Sequence, residues 1–294
     1  MNLTAGGVLM MAVSPFSPSG VPDLERLKAL GSDAAGNGFT GLVVAGGAGE
    51  LAALTDGEIV DMVAAAAPSI GGQCALIAGI YARPESTRMV NELAAAGADA
   101  LLCFADPTPD SDADAGLADL LAENARGSNL GVVVDHDGGR FTVAGLQTVS
   151  QRYGNLVLKW GTPDLRAWGD LRSQLPGVAA WYCGGGDDVA PGFAAQGADG
   201  FTSTAANVAP TAIAALQRLI AEGSLREAGD WVASHLQPLA SLRSARPGYV
   251  PAVTKAAMAN AGRGAGEPRS RDARFRETDA HALAIAVAAL EAAI

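Results

Sequence analysis

Leu156-Val157-Leu158-Lys159-Trp160 is a short apolar run broken by one charge. A strand this continuously apolar is covered on both faces, as in a parallel sheet flanked by helices. Seven more runs of the same kind recur along the first two thirds of the chain: GVLMMAV from Gly7, GLVVAG from Gly41, ALIAGI from Ala75, DALLCF from Asp99, GVVVD from Gly131, AAWYC from Ala179 and GFTS from Gly200. The stretches between them carry helical spacing, such as Leu24, Leu27 and Leu30, or Ile59, Val60, Met62 and Val63. Thr55 with Glu58 three positions on has the form of a capping box. Eight β/α units in about 200 residues fit a closed (β/α)₈ TIM barrel. A doubly wound open sheet is the competing architecture, because periodicity does not report closure.

From Pro210 onward the apolar periodicity is helical only, through Thr211–Ile220, Ala228–Leu242, Val250–Met258 and Thr278–Leu290. The expected organisation is therefore a barrel over 1–222 and a C-terminal helical extension over 223–294. RGAGEPRSRDARF, from Arg263 to Phe275, reads as a connector rich in glycine, proline and charge.

The 294 residues are 49% hydrophobic and 17% charged, enough for a large core. Thirty-one acids against 20 bases give a net charge of −11, which argues against nucleic-acid backbones and anionic membrane surfaces as partners. Cys74, Cys103 and Cys183 lie far apart with no histidine at zinc-site spacing, as expected of reduced thiols in a cytoplasmic protein. The apolar stretch from Gly7 to Val13 has no basic residue before it and does not read as a signal peptide. Nowhere do about 18 apolar residues run uninterrupted, so the expectation is a soluble chain.

The sequence holds three lysines, Lys28, Lys159 and Lys255. Lys28, beside Glu25 and Arg26, and Lys255, in a C-terminal helix, read as solvated surface charges. Lys159 stands near the end of a buried strand, where an unpaired ammonium is costly. It can escape by shedding its proton, which leaves an amine able to attack a carbonyl and form a Schiff base, or by pairing with a nearby carboxylate. The C-terminal ends of barrel strands face the active site.

Two other segments carry polar chemistry. VVAGGAGELAALTDGE, from Val43 to Glu58, joins a strand to a helix through glycines, and successive N–H groups in such a turn can hold a carboxylate or phosphate. Gly47, Gly49 and Ala52 also satisfy a loose GxGxxA dinucleotide pattern, but the next strand closes as AGIYA without the required acid. The plain alternative is a tight βα turn. VVVDHDGGR places Asp135, His136, Asp137 and Arg140 within six positions. Asp135 is a candidate acid or base and Arg140 a candidate partner for a substrate carboxylate, against the alternative of a polar turn capping the strand. An adjacent Asp-His-Asp run in a strand cannot aim all three side chains at one metal ion.

Taken in order, SPFSPSGVPD from Ser14, GGAGELAALTDGE from Gly46, NLVLKW from Asn155, GGGDD from Gly184 and STAANVAP from Ser203 resemble the dihydrodipicolinate synthase/N-acetylneuraminate lyase superfamily. VVAGGAGELAALT and GYVPAVTKAAM, from Gly248, look most like 5-dehydro-4-deoxyglucarate dehydratases, while GDD and NVAP sit as comfortably with dihydrodipicolinate synthases. The resemblance implies a (β/α)₈ barrel with a helical extension, a homotetramer, and an imine between Lys159 and pyruvate or another 2-oxo acid. It maps the carboxylate-binding turn to Gly46, Gly47, Ala48 and Gly49 and the arginine after the fifth strand to Arg140; Ser203, opening STAANVAP after a strand, is a further candidate substrate contact, against the alternative of a plain loop. The family's relay tyrosine falls on Asp135 and the hydroxyl residue of its turn on Ala48.

The expectation is a Schiff-base lyase acting on a 2-oxo acid or sugar acid by aldol cleavage, condensation or dehydration. Asp135 or His136 moves protons, and the imine serves as electron sink without metal or organic cofactor. The alternative is a lapsed barrel that binds a 2-oxo acid without turnover.

Overall fold

Eight parallel strands follow one another around a closed barrel in chain order: β1 (Gly7–Met11), β2 (Gly41–Val44), β3 (Ala75–Ala82), β4 (Ala100–Ala105), β5 (Gly131–His136), β6 (Val157–Trp160), β7 (Ala180–Cys183) and β8 (Gly200–Ser203). In this computed structural model, residues 3–270 and 274–293 are described. Every apolar run of the sequence forms a strand, and β8 pairs back onto β1 with Gly7 opposite Gly200. Closure removes the doubly wound alternative, in which an open sheet reverses its strand order.

Alternate strand residues point inward, where Leu9, Ile77, Leu102, Val133 and Val157 fill the barrel. Tyr182 closes its floor by donating its hydroxyl to Leu3 O at 2.8 Å, and burial pushes the phenol pKa above its ordinary value. The outward-facing residues meet a ring of helices: α1 (Leu24–Gly36), α2 (Asp56–Ile70), α3 (Thr87–Ala95), α4 (Ala113–Arg126), α5 (Val143–Tyr153), α6 (Leu165–Gln174), α7 (Ala190–Ala195) and α8 (Pro210–Ala221). The capping box at α2 forms, with Thr55 and Glu58 satisfying each other's backbone N–H.

Beyond the barrel, α9 (Leu225–Trp231) passes through a π-helical turn, Val232–Leu236, into α10 (Gln237–Ser244), followed by α11 (Tyr249–Asn260) and α12 (Ala280–Glu291). Two buried ion pairs hold this extension to the C-terminal ends of the strands. One joins Arg243 of α10 to Asp187 after β7, whose carboxylate also accepts from Ser203 Oγ at 2.7 Å and Ala205 N at 3.0 Å. Burial alone would raise the Asp187 carboxyl, but the Arg243 guanidinium and these donors outweigh it and hold it below the ordinary carboxylate range.

The other pair corrects the reading of Lys255 as a surface charge. This residue is 2% exposed, and its Nζ donates to Glu50 Oε1 at 2.7 Å and Glu267 O at 3.2 Å. The physical reason is that α11 is covered on more than one side, by α10, by α12 and by the short helix Ala205–Asn207 after β8. Burial lowers the Lys255 pKa from the ordinary 10.5, and Glu50 offsets this only in part. Lys28 lies at the surface with Glu25, as expected.

Candidate active site

A cavity of about 450 Å³ opens at the C-terminal end of the barrel, with Lys159, Asp135, Gly47 and Ala48 in its wall. Asp135 and Lys159 stand opposite each other in the β5/β6 register, and both positions face inward. Lys159 Nζ donates to Asp135 Oδ1 at 2.8 Å, with 9% and 11% of the two side chains exposed. The buried lysine thus has the carboxylate partner that one of its two readings required. Gly184, at the end of β7, makes room for it: a Cβ there would lie 2.6–2.7 Å from Lys159 Cγ, Cε and Nζ.

The turn after β2 forms the facing wall. Ala45 and Glu50 bracket it in the left-handed region, each with φ of 57°, a conformation that costs a non-glycine residue about 1 kcal/mol or more. Gly79 of β3 permits this bend, since a Cβ there would lie 1.9 Å from Ala45 O. Ser14 Oγ braces the turn by donating to Gly49 O at 2.5 Å. Among the described residues, the N–H groups of Gly47 and Ala48 donate to no protein acceptor. Two free donors thus line the cavity opposite an amine, the kind of backbone feature that can hold an anion.

Strand parity separates the remaining candidates from this group. His136 follows Asp135 and faces the helices, stacked on Trp160 with ring centroids 5.4 Å apart. Its Nδ1 accepts from Gly138 N at 2.9 Å, which leaves any ring proton on Nε2, and burial lowers its pKa. Arg140 is committed to the loop after β4, donating from Nη2 to Thr108 O at 2.8 Å and Ser111 Oγ at 2.7 Å. Ser203 is fully buried behind the cavity, holding Asp187 and accepting from Ala206 N. Gly46 and Gly49 shape the turn: a Cβ would meet Met11 Cε at 2.5 Å at the first and Ala12 O at 3.0 Å at the second.

The cavity also has a wall that sequence patterns did not mark. Thr202 lines it from β8 and Thr204 from the residue after that strand, Val250 and Pro251 from α11, and Ser270 from the connector. Arg243 bonds the Thr204 hydroxyl. The segment expected to be a plain connector wraps the turn instead: Arg269 N and Ser270 N donate to Glu50 Oε2 at 2.8 and 3.4 Å, and the Arg269 side chain reaches Glu58, Ala53 O and Gly20 O. The available signal was Glu50 itself, an acid directly after a glycine turn with a lysine and an arginine far along the chain to answer it.

Fold and cavity define a barrel protein with a small-molecule site at the C-terminal ends of its strands. The chain belongs to the dihydrodipicolinate synthetase family, whose profile it matches over residues 4–273. It is 28% identical over 276 residues to a 4-hydroxy-tetrahydrodipicolinate synthase of Corynebacterium aurimucosum, covering 90% of this chain and 88% of that protein. It is also 28% identical over 236 residues to a probable 5-dehydro-4-deoxyglucarate dehydratase of Ralstonia nicotianae, covering 78% and 75% of the two chains. The crystal structure of dihydrodipicolinate synthase from Bacillus clausii superimposes with a TM-score of 0.88 over 98% of each chain at 21% identity, which carries the fold. Relatives named as a synthase and a dehydratase make the family one of enzymes acting on small molecules. No helix among the described residues is long and apolar enough to cross a membrane.

Proposed function

We propose that this protein is a Schiff-base lyase whose Lys159 forms an imine with pyruvate or a related 2-oxo acid. The observation that carries the reading is the 2.8 Å contact between Lys159 Nζ and Asp135 Oδ1 inside a cavity whose other wall presents the free Gly47 and Ala48 N–H groups. The substrate carboxylate binds this nest and aims its carbonyl carbon at Lys159. Asp135 takes a proton from the ammonium, and the freed amine adds to the carbonyl. The same proton then leaves with the carbinolamine hydroxyl as water, and the iminium carries the positive charge. Asp135, again a carboxylate, removes a proton from the adjacent carbon to give an enamine that can attack an aldehyde. In reverse the sequence cleaves a C–C bond, and with a leaving hydroxyl at the next carbon it dehydrates. The imine is the electron sink, so the scheme calls for no metal or organic cofactor.

We further propose, from the resemblance, a cytoplasmic homotetramer in which exposed Ile285 of α12, 55% accessible, supports subunit contact. Borohydride reduction with pyruvate, read by peptide mass, should leave an adduct on Lys159 and on neither Lys28 nor Lys255. An unmodified Lys159 after trapping with a panel of 2-oxo acids would overturn the Schiff-base reading. Exchange of the pyruvate methyl protons with deuterium separates an enzyme from a binder without turnover.

A further inference from the structure

Resting on the Schiff-base reading, we infer that the second substrate of this site is a neutral aldehyde with an apolar tail, and that aldehydes bearing a carboxylate are rejected. The cavity, at about 450 Å³, is far larger than a three-carbon 2-oxo acid, so most of it faces whatever the enamine attacks. Beyond Lys159 that remaining wall is mostly apolar, from Met11, Ala52, Ala53, Val250 and Pro251, with Thr202 and Thr204 as its neutral polar side chains and Ser270 at its rim.

Charge is distributed to the same effect. Among the described residues, Lys159 is the sole cation lining the cavity, and two carboxylates, Asp135 and Glu50, line it too. Glu50 is balanced from behind by Lys255, and Arg140, the side chain in sequence position to answer a second carboxylate, is bonded to Thr108 and Ser111 outside the lining. The Lys159 nitrogen is neutral once the enamine that attacks the aldehyde has formed, and the bound 2-oxo acid brings a carboxylate that occupies the nest of Gly47 and Ala48. A carboxylate on the incoming aldehyde would then lose its hydration against alanine, valine and proline, near Glu50 and with no counter-ion among the described residues of the lining to meet it, which is the arrangement that rejects a partner by charge.

The test compares succinic semialdehyde with 4-methylpentanal, which has the same number of non-hydrogen atoms and a branched methyl pair in place of the carboxylate. Each is mixed with pyruvate and the full-length protein, and the adduct is quantified by mass. The expected result is a kcat/KM for 4-methylpentanal at least on the order of 10²-fold above that for succinic semialdehyde. In Ser270→Arg, which adds a cation at the exposed rim, the preference should fall at least about tenfold. Equal use of both aldehydes, a preference for succinic semialdehyde, or no consumption of 4-methylpentanal would overturn the inference. Borohydride trapping of pyruvate alone is run beside it: absence of that adduct condemns the underlying Schiff-base reading, whereas trapping with the wrong aldehyde preference condemns only the specificity.

Discussion

Asp135 and Lys159 sit at one level of adjacent strands, so their contact follows from register and needs no loop to bring it about. That fixes what each should do when changed. Asp135→Asn keeps the shape of the side chain but cannot accept a proton. It should still allow an adduct at Lys159, formed more slowly with water taking the ammonium proton, while slowing deuterium exchange into pyruvate by roughly 10²-fold or more, the usual scale for loss of a general base. Exchange at the unmodified rate would make Asp135 a spectator. His136→Gln, on the far side of the same strand, should leave exchange within about twofold, because removing a group outside the reacting geometry costs no transition-state interaction. Gly184→Ala tests the space around the amine: a methyl 2.6–2.7 Å from three Lys159 atoms must displace the side chain, and trapping with borohydride should fall at least tenfold, on the order expected when a reacting group is moved by about 1 Å. Asp135 and Lys159 were both legible as titratable groups at the ends of buried strands. That they touch was not, since the register between two strands is not written in either one.

The turn after β2 and helix α11 are far apart in sequence and joined by one buried pair, Glu50 with Lys255. Lys255→Met removes the ammonium and leaves a carboxylate buried against backbone donors only. The expected cost is about 3–5 kcal/mol, read from urea denaturation. Adding Glu50→Gln to it should recover much of that loss, because no bare charge then remains. A single variant as stable as the unmodified protein would show that the pair contributes nothing. All eight strands could be read from sequence because a run such as GVVVD or LVLKW is apolar at consecutive positions and interrupted only by the one charged residue near its C-terminal end, a pattern that two-sided cover explains. The same logic fails for α11. A lysine among alanines looks like the wet side of an amphipathic helix, and nothing in YVPAVTKAAMAN records that α10, α12 and the barrel rim all close over it.

Extension and barrel meet through carboxylates whose charge the fold needs, which makes the molecule as a whole sensitive to acid. The hydrogen-bonded Arg269 guanidinium holds Glu58 down from the ordinary 4.5 to about 2, and Asp187 stays ionised against Arg243 despite complete burial. For both groups the unfolded chain binds a proton more readily than the folded one, so stability rises with pH through the range between the two states' pKa values. The Glu58 contribution is complete above about pH 4.5 and is lost as the pH falls toward 2, and the Asp187 contribution is lost as the pH falls below the ordinary 3.8. His136 acts in the same direction at higher pH. Burial keeps its folded pKa below the ordinary 6.5, so the unfolded state gains a proton first, and its contribution is lost as the pH falls below that value. The midpoint of urea denaturation should therefore decline gently below about pH 6.5 and steeply below about 4.5. His136→Gln should remove the first decline and leave the second. In Arg269→Met, Glu58 loses the partner that depresses it, and the part of the steep decline due to this joint should shrink, while the Asp187 part remains. A denaturation midpoint independent of pH between 6.5 and 3 would mean that these carboxylates are not held in the folded state as described.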